Sequence, residues 1–303
     1  MDDQLDAVVV GGAGVDTNVY LAGEDVDWSV ETNFTRNVDC VGQAGGYASR
    51  LFARLGKRTA YIGPVGDDHN GRLVRDTLAR DGIDLGGLFV DAGGTNRSVN
   101  VMYRDGRRKN FYDGRGSLTL QPDLALCRRV LARTRLAQFS IVHWARQLLP
   151  VARELGVTIA VDLQDVVTAD DPYRQDFVDG ADIVLFSGVN HPDPEPLIAA
   201  YRRRNPRAIC VVGMGPRGAV LGTADGVRWF GPVAHEQPVV DTNGAGDSLA
   251  AGFLASYLLD GFAPGDAVQR GQLLARHTCT LAAGDDGFLT RRELDERFAA
   301  LRA

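Results

Sequence analysis

Between Val239 and Leu254 the chain reads VVDTNGAGDSLAAGFL, and nearly every residue there has a chemical use. Gly244, Ala245 and Gly246 carry almost no side-chain bulk, so a ligand can approach their backbone closely. An apolar helix pattern opens at Asp247 and runs through Leu249, Ala250, Phe253, Leu254 and Tyr257. The first N–H groups of a helix lack internal partners, and the helix dipole adds partial positive charge there, which suits a phosphate. Asp247 puts a carboxylate beside that anion site. The arrangement is electrostatically unfavourable unless the acid has a task, and in phosphoryl transfer a carboxylate takes the proton of the attacking hydroxyl. The other reading is a Gly-rich helix start that Asp247 merely caps.

Three further stretches carry candidate chemistry. The apolar run Ala7–Val10 leads into Gly11-Gly12-Ala13-Gly14-Val15-Asp16-Thr17-Asn18. A dinucleotide loop fails here, because Thr17 stands where the third glycine belongs and Val19-Tyr20 continue as strand. Asp16 and Asn18, just past a strand end, suit a polyol, since hydroxyls donate to carboxylates and amides; a turn-capping role is the alternative. Gly42-Gln43-Ala44-Gly45-Gly46-Tyr47 precedes a helix and lets a ligand lie against its start. In Cys210–Val220, Gly215 and Gly218 let the backbone pass close to a nucleotide. Arg217 between them reads either as a phosphate contact or as a solvated side chain.

The bulk properties exclude several classes. A chain of 303 residues fits one large α/β domain with a small appendage. The net charge of −6 argues against a nucleic-acid partner. Cys40, Cys127, Cys210 and Cys279 are far apart and lack zinc-ligand spacing; Cys127 and Cys210 read as core residues. The start MDDQLDAVVV lacks the basic and long apolar regions of a signal peptide, and no apolar run is long enough to span a membrane, so a cytoplasmic protein is expected. There is no G-x-x-x-x-G-K-[ST] phosphate loop.

These residues need a frame, and the pattern predicts one. Apolar strand runs (7–10, 59–62, 139–143, 158–161, 182–186, 209–212) alternate with helical patterns (45–55, 70–80, 124–135, 148–155, 197–203). That alternation implies a parallel sheet covered on both faces. Two segments break it: 19–41 has no helical period, and 98–112 alternates across an Asp105-Gly106 turn, a hairpin signal. They read as a small antiparallel sheet. A second hairpin, Ala219–Gly222 with Val227–Phe230, precedes the glycine segment.

The Asp241–Asp247 segment resembles the D-T-x-G-A-G-D signature of the ribokinase-like (PfkB) carbohydrate kinases, complete at every fixed position. Gly42–Tyr47 is similar to the family's G-G-x-G-x-N signature, with Gln43 at the second glycine and Tyr47 at the asparagine. Gly63–Asp68 and Gly71 fit a further glycine run that is mostly structural. Leu185–Asn190 departs: Ser187 and Asn190 stand where many members have N-x-x-E. The resemblance implies a three-layer α/β fold with a doubly wound, mostly parallel sheet and a small β-sheet lid. The main domain would comprise 1–15, 42–96 and 114–303, and the lid 16–41 and 97–113.

The implied reaction moves the ATP γ-phosphoryl group to a primary hydroxyl of a sugar or related polyol. Asp247 would be the base, and the amides of Gly244, Ala245 and Gly246 the anion cradle. Asp16, Asn18, Gly42, Gly45, Gly46 and Tyr47 would shape the sugar site. Ser187, Gly215, Arg217, Gly218 and Asn243 would serve the nucleotide. The cofactors implied are ATP and Mg2+, the metal entering mainly with ATP because the acid is missing. Asp241 and the loop Ala283–Asp286 lie where relatives bind a monovalent cation, K+. The lid pairs two subunits in the family; Trp28 and Phe34 would serve a homodimer or pack within the lid. Two rival readings stand beside this one. In a nucleoside kinase of the same fold, Tyr47 would stack on a base. A non-catalytic sugar-binding regulator is suggested by the missing acid and opposed by Asp247.

Overall fold

The computed structural model describes residues 4–104 and 106–302; Met1–Asp3 of the acidic start and Asp105 of the expected turn lie outside the described residues. The strands are β1 (Leu5–Val10), β2 (Gly14–Leu21), β3 (Thr35–Gly42), β4 (Thr59–Val65), β5 (Asp84–Val90), β6 (Arg97–Met102), β7 (Arg108–Asp113), β8 (Thr134–Ser140), β9 (Thr158–Asp165), β10 (Ile183–Ser187), β11 (Ile209–Gly213), β12 (Ala219–Thr223) and β13 (Gly226–Phe230). The helices are α1 (Gln43–Arg54), α2 (His69–Arg80), α3 (Leu124–Leu131), α4 (Leu149–Glu154), α5 (Pro172–Gly180), α6 (Glu195–Arg204), α7 (Ala245–Leu254), α8 (Pro264–Thr278) and α9 (Arg291–Arg302).

The large sheet has the order β13-β12-β11-β10-β9-β8-β1-β4-β5. Its pairs from β5 through β11 are parallel, and the β11-β12-β13 edge is antiparallel. Buried aliphatic strands permit this, because helices cover both faces. One face packs on a core containing Cys127, Leu149, Phe177 and Ile198 from α3 to α6. The other packs on Leu51, Phe52, Phe253, Leu274 and Phe298 from α1, α7, α8 and α9. The three-layer α/β expectation holds, and so does the core placement of Cys127 and Cys210, both fully buried.

Four expectations need correction. The predicted helix 124–135 ends at Leu131, and the strand expected at 139–143 runs from Thr134 to Ser140. Gln138 and Ser140 hid it: both point inward on a buried strand, which interrupts the apolar run used to recognise it. The small sheet, order β3-β2-β6-β7, is mixed rather than antiparallel, since β2 and β6 pair in parallel. Each follows a strand of the large sheet, β1 or β5, and leaves in the same direction. Finally, β4 extends through Pro64 to Val65. Its pairing with β1 stops at Ile62, so Pro64 faces only β5 and its missing N–H removes no ladder bond toward β1.

Candidate active site

The C-terminal ends of the parallel strands, the starts of α1 and α7, and the small sheet converge on one region. α7 begins at Ala245 because Gly244 adopts φ +73°, a left-handed conformation that reverses the chain into the helix. A side chain there would also meet the Tyr47 ring at 3.0 Å. Asp247 sits in the first turn of α7, where the dipole favours a carboxylate. Gly246 is exposed and Asp247 half-buried, so solvent reaches both. The Ala245 N–H makes a long bond to the Thr242 carbonyl (3.3 Å). The Gly244 and Gly246 N–H groups have no protein acceptor among the described residues.

Asp16 lies on β2, buried, directly beneath the start of α1. The Gln43 N–H donates to Asp16 Oδ2 at 3.2 Å. Gly42 allows this approach: a Cβ there would stand 2.1 Å from that oxygen. Asp16 Oδ1 is buried with no partner, as are Gln43 Nε2 and Asn96 Nδ2 nearby at the β1–β2 bend. Buried polar atoms without partners are costly, which makes this group a place where ligand hydroxyls would be stabilised. Gly45 donates to the Gly12 carbonyl at 2.9 Å, locking α1 against the bend, and Gly46 is buried within the helix.

The face of the large sheet below α7 ends in a polar layer. Ser140 and Asp162 are parallel-strand partners on the side that carries Leu136 and Ala160 toward α1 and α7. Asp162 Oδ1 accepts the Gln164 N–H at 2.8 Å, a turn that holds Gln164 at φ +59°. Its other oxygen has no protein donor among the described residues.

Burial and neighbouring charge push three carboxylates up. Asp247 is raised well above its ordinary value by burial, then by Asp162 and Asp16, with Arg108 opposing. Asp162 is raised to about 6 by burial, against the Gln164 N–H. Asp16 is raised to about 6 by burial, with the Gln43 N–H, Ser98 and Arg108 opposing. Arg108 acts on Asp247 and Asp16, and Asp162 acts on Asp247, so the region is suited to holding protons and negative charge.

Arg108 was not singled out by the sequence. It stands on β7, and its guanidinium donates to Asn243 Oδ1. The signal existed: Arg108, Asn110 and Tyr112 share one face of the predicted hairpin by their period of two. Gln43 was marked only as a departure from the family's glycine, and Asp162 and Asn96 carried no signal, since nothing in their local sequence marks them.

Other predicted residues have different surroundings than their types suggested. Asn18 is fully buried and spends its whole hydrogen-bonding capacity on protein. Its Nδ2 donates to the Asp16 carbonyl (3.3 Å) and Cys40 Sγ (3.4 Å). Its Oδ1 accepts from Asn100 (3.1 Å) and Asn243 (2.9 Å). That leaves nothing for a sugar; Asn18 is an internal brace. Tyr47 is buried with its ring against Gly244 and its hydroxyl 3.9 Å from Cys40 Sγ, so no base can stack on it. The feature that favoured a nucleoside acceptor is therefore gone. Arg217 donates to the His191 carbonyl (2.6 Å) and the Pro192 carbonyl, stapling the loop after β10 to the turn that holds Gly215 and Gly218. Ser187 ends β10 with its hydroxyl accepting from Val189 N–H at 3.5 Å. Asn243 bridges Asn18 and Arg108. Asp241 is buried and lies before the cradle.

Comparison with known proteins places the chain in one family. The pfkB family carbohydrate kinase profile matches residues 9–174 and 177–287. The chain is 30% identical over 300 residues to an acarbose 7(IV)-phosphotransferase of Actinoplanes sp., covering 97% of this chain and 98% of that protein. It is 29% identical over 214 residues to a fructoselysine 6-kinase of Escherichia coli, covering 67% and 76%. The solved structure of a microbiome-derived acarbose kinase superposes with a TM-score of 0.90 at 32% identity, covering 98% and 99%. An Arabidopsis thaliana ribokinase complexed with ribose and ATP superposes with a TM-score of 0.81 at 18% identity, covering 97% and 99%, a likeness of fold alone.

Proposed function

The chain belongs to the pfkB family of carbohydrate kinases and is a phosphotransferase acting on a sugar hydroxyl, and from that premise we propose that it transfers the ATP γ-phosphoryl group to a primary hydroxyl of a sugar or related polyol. The observation that carries this reading is Asp247 beside the Gly244 and Gly246 amides, which have no protein acceptor among the described residues, within the field of Asp16, Asp162 and Arg108. Asp247 takes the hydroxyl proton. The Gly244 and Gly246 N–H groups, with Ala245, hold the charge that grows on the transferring group. The unpartnered Asp16 Oδ1 accepts from acceptor hydroxyls, and Gln43 and Asn96 donate to them.

Residues 16–41 and 97–113 form the lid in this reading. Arg108 brings a positive charge from the lid to the phosphoryl group. Arg108→Ala is expected to lower kcat by on the order of tenfold to a hundredfold, the worth of one charge-assisted hydrogen bond, with Tm unchanged because the side chain is exposed. Steady-state kinetics with a parallel melt checks it. For Mg2+, Ser187 and Asn190 offer only neutral oxygens, whereas Asp162 has a free carboxylate oxygen of the kind a hard cation prefers. Asp162 would hold the ion that enters with ATP, and the ion would offset phosphate charge.

Trp28, Phe34 and Phe111 on the lid are exposed. Trp28 and Phe34 lie on the loop between β2 and β3; large exposed apolar side chains favour association, and we take this loop surface as a homodimer contact. Light scattering is expected to give about twice 32.6 kDa, and Trp28→Ser with Phe34→Ser to give the monomer.

Two relatives that match end to end carry acarbose in their names, so acarbose leads the acceptor panel, followed by fructose, ribose and nucleosides. The test is ADP release by the purified protein. Release stimulated by a sugar and not by nucleosides supports the proposal. Slow ATP hydrolysis that no polyol stimulates, alongside sugar-induced thermal stabilisation, would favour the regulator.

A further inference from the structure

The resemblance implied a monovalent cation beside Asp241, between it and the loop after α8. The donor set there does not suit one. Asp241 Oδ1 accepts the Asn243 N–H at 2.8 Å, and Oδ2 accepts the Tyr20 hydroxyl at 2.7 Å. The same hydroxyl accepts the Ala283 N–H at 2.9 Å. The loop thus turns an N–H, not a carbonyl, toward this point. Of the nearby carbonyls, Cys279 O accepts two N–H groups, from Val240 (2.7 Å) and Asp241 (3.3 Å), and Thr278 O and Ala282 O accept one each, from Leu281 and Asp285. The adjoining cavity holds about 20 Å³; Asp241, Asn243, Thr278 and the 281–285 loop line one part of it, and Cys40, Tyr47, Phe288 and the cationic Arg50 the rest. Arg50 is fixed there by Asp81 at 2.6 Å and by Asp286. Those two aspartates offset the Arg50 charge, and the sulfur and aromatic walls offer a cation no oxygen, so ligation would fall to Asp241 and the loop, which Tyr20 already joins.

We infer that the Tyr20 hydroxyl, not K+, joins Asp241 to the 282–285 loop beneath the anion cradle, and that phosphoryl transfer by this protein needs Tyr20 and no monovalent cation. The physical sense is direct. A cation would hold the carboxylate and the loop together by charge; Tyr20 does so by donating to one and accepting from the other. Tyr20 belongs to β2 of the small sheet, two residues from Asn18, which braces Asn243 on the other side of Asp241. The small sheet therefore grips the segment before Gly244 at two points. Tyr20 acts as a positioning residue, since it reaches the reacting groups only through Asp241 and Asn243.

This inference rests on the kinase reading for its consequence but not for its geometry, and the experiment separates the two. Melts of the intact chain in KCl and in tetramethylammonium chloride at equal ionic strength are expected to agree within about 1 °C, because a ligand that binds the folded form alone raises its stability. Crystals soaked in thallium(I), a potassium mimic, should show no ion at Asp241. A potassium-specific rise in Tm, or thallium beside Asp241, overturns the inference whatever the enzyme's activity. Binding of the Mg2+ complex of the ATP analogue AMP-PNP is expected to be equal in the two salts. Tyr20→Phe should weaken it by about tenfold in protein that remains folded, as for a lost hydrogen bond to a charged group. Unchanged affinity in folded Tyr20→Phe also overturns the inference. No AMP-PNP binding by the wild type would sink the kinase reading and leave the potassium melts and the thallium soak to decide the cation question alone.

Discussion

Asp247→Asn is expected to lower kcat by about a hundredfold to ten thousandfold, the range of a general base, while ATP still binds. The amide keeps the size and the first-turn position of the carboxylate in α7, so the cradle survives. What is lost is the proton acceptor. The pH profile offers a sharper check. Burial, Asp162 and Asp16 raise Asp247 well above its ordinary value, so its basic form appears only at higher pH, and kcat/KM should climb through a limb above the usual carboxylate range. Removing a negative neighbour lowers that value, so Asp162→Asn should move the limb to lower pH. Removing Arg108 should move it up. Unaltered turnover in purified Asp247→Asn would defeat the assignment.

Asp16→Asn should separate binding from stability. Asp16 is the buried carboxylate with an unpartnered oxygen, and loss of its charge should lower kcat/KM for the acceptor by about a hundredfold, mostly through KM. The same acid makes the apoprotein pH-sensitive. Its folded value is about 6 against an ordinary 3.8, so the folded state keeps the proton longer than the unfolded one. The contribution is therefore present below pH 3.8 and is lost as pH rises through 6. The loss amounts to on the order of 2 to 3 kcal/mol. Urea melts between pH 4 and 7 should show wild-type stability falling by more than that of Asp16→Asn. A substrate hydroxyl donating to Oδ1 repays part of that cost, so ligand stabilisation should also be larger in the wild type.

The Asp16 site illustrates how legibility varied along the chain. Asp16 itself could be named from its place after β1, since a carboxylate at a strand end in an α/β sheet faces the crevice. Asn18, two residues on along the same strand, is also polar, yet it is taken up in a brace with Asn100 and Asn243. Two residues apart on one strand share a face, but the twist and the partners decide which meets ligand. Tyr47 was legible as a departure from the family's asparagine but not as a plug under Gly244. Arg217 was named as a cation near phosphate, and its carbonyl partners lie 25 and 26 residues away.

What the sequence determined alone was local: the glycine-led helix start with its acid, the alternation that forces a covered parallel sheet, and the family signature that binds both to one reaction. Those properties are fixed by neighbours a few residues apart, where propensity, spacing and the helix dipole act. Tertiary structure alone decided the company these residues keep: Arg108 at Asn243 across 135 residues, Tyr20 at Asp241 across 221, and the charge of Asp162 on Asp247. Electrostatic and hydrogen-bond energies depend on distance in space, and chain separation carries no record of that until the sheet has brought its strand ends together.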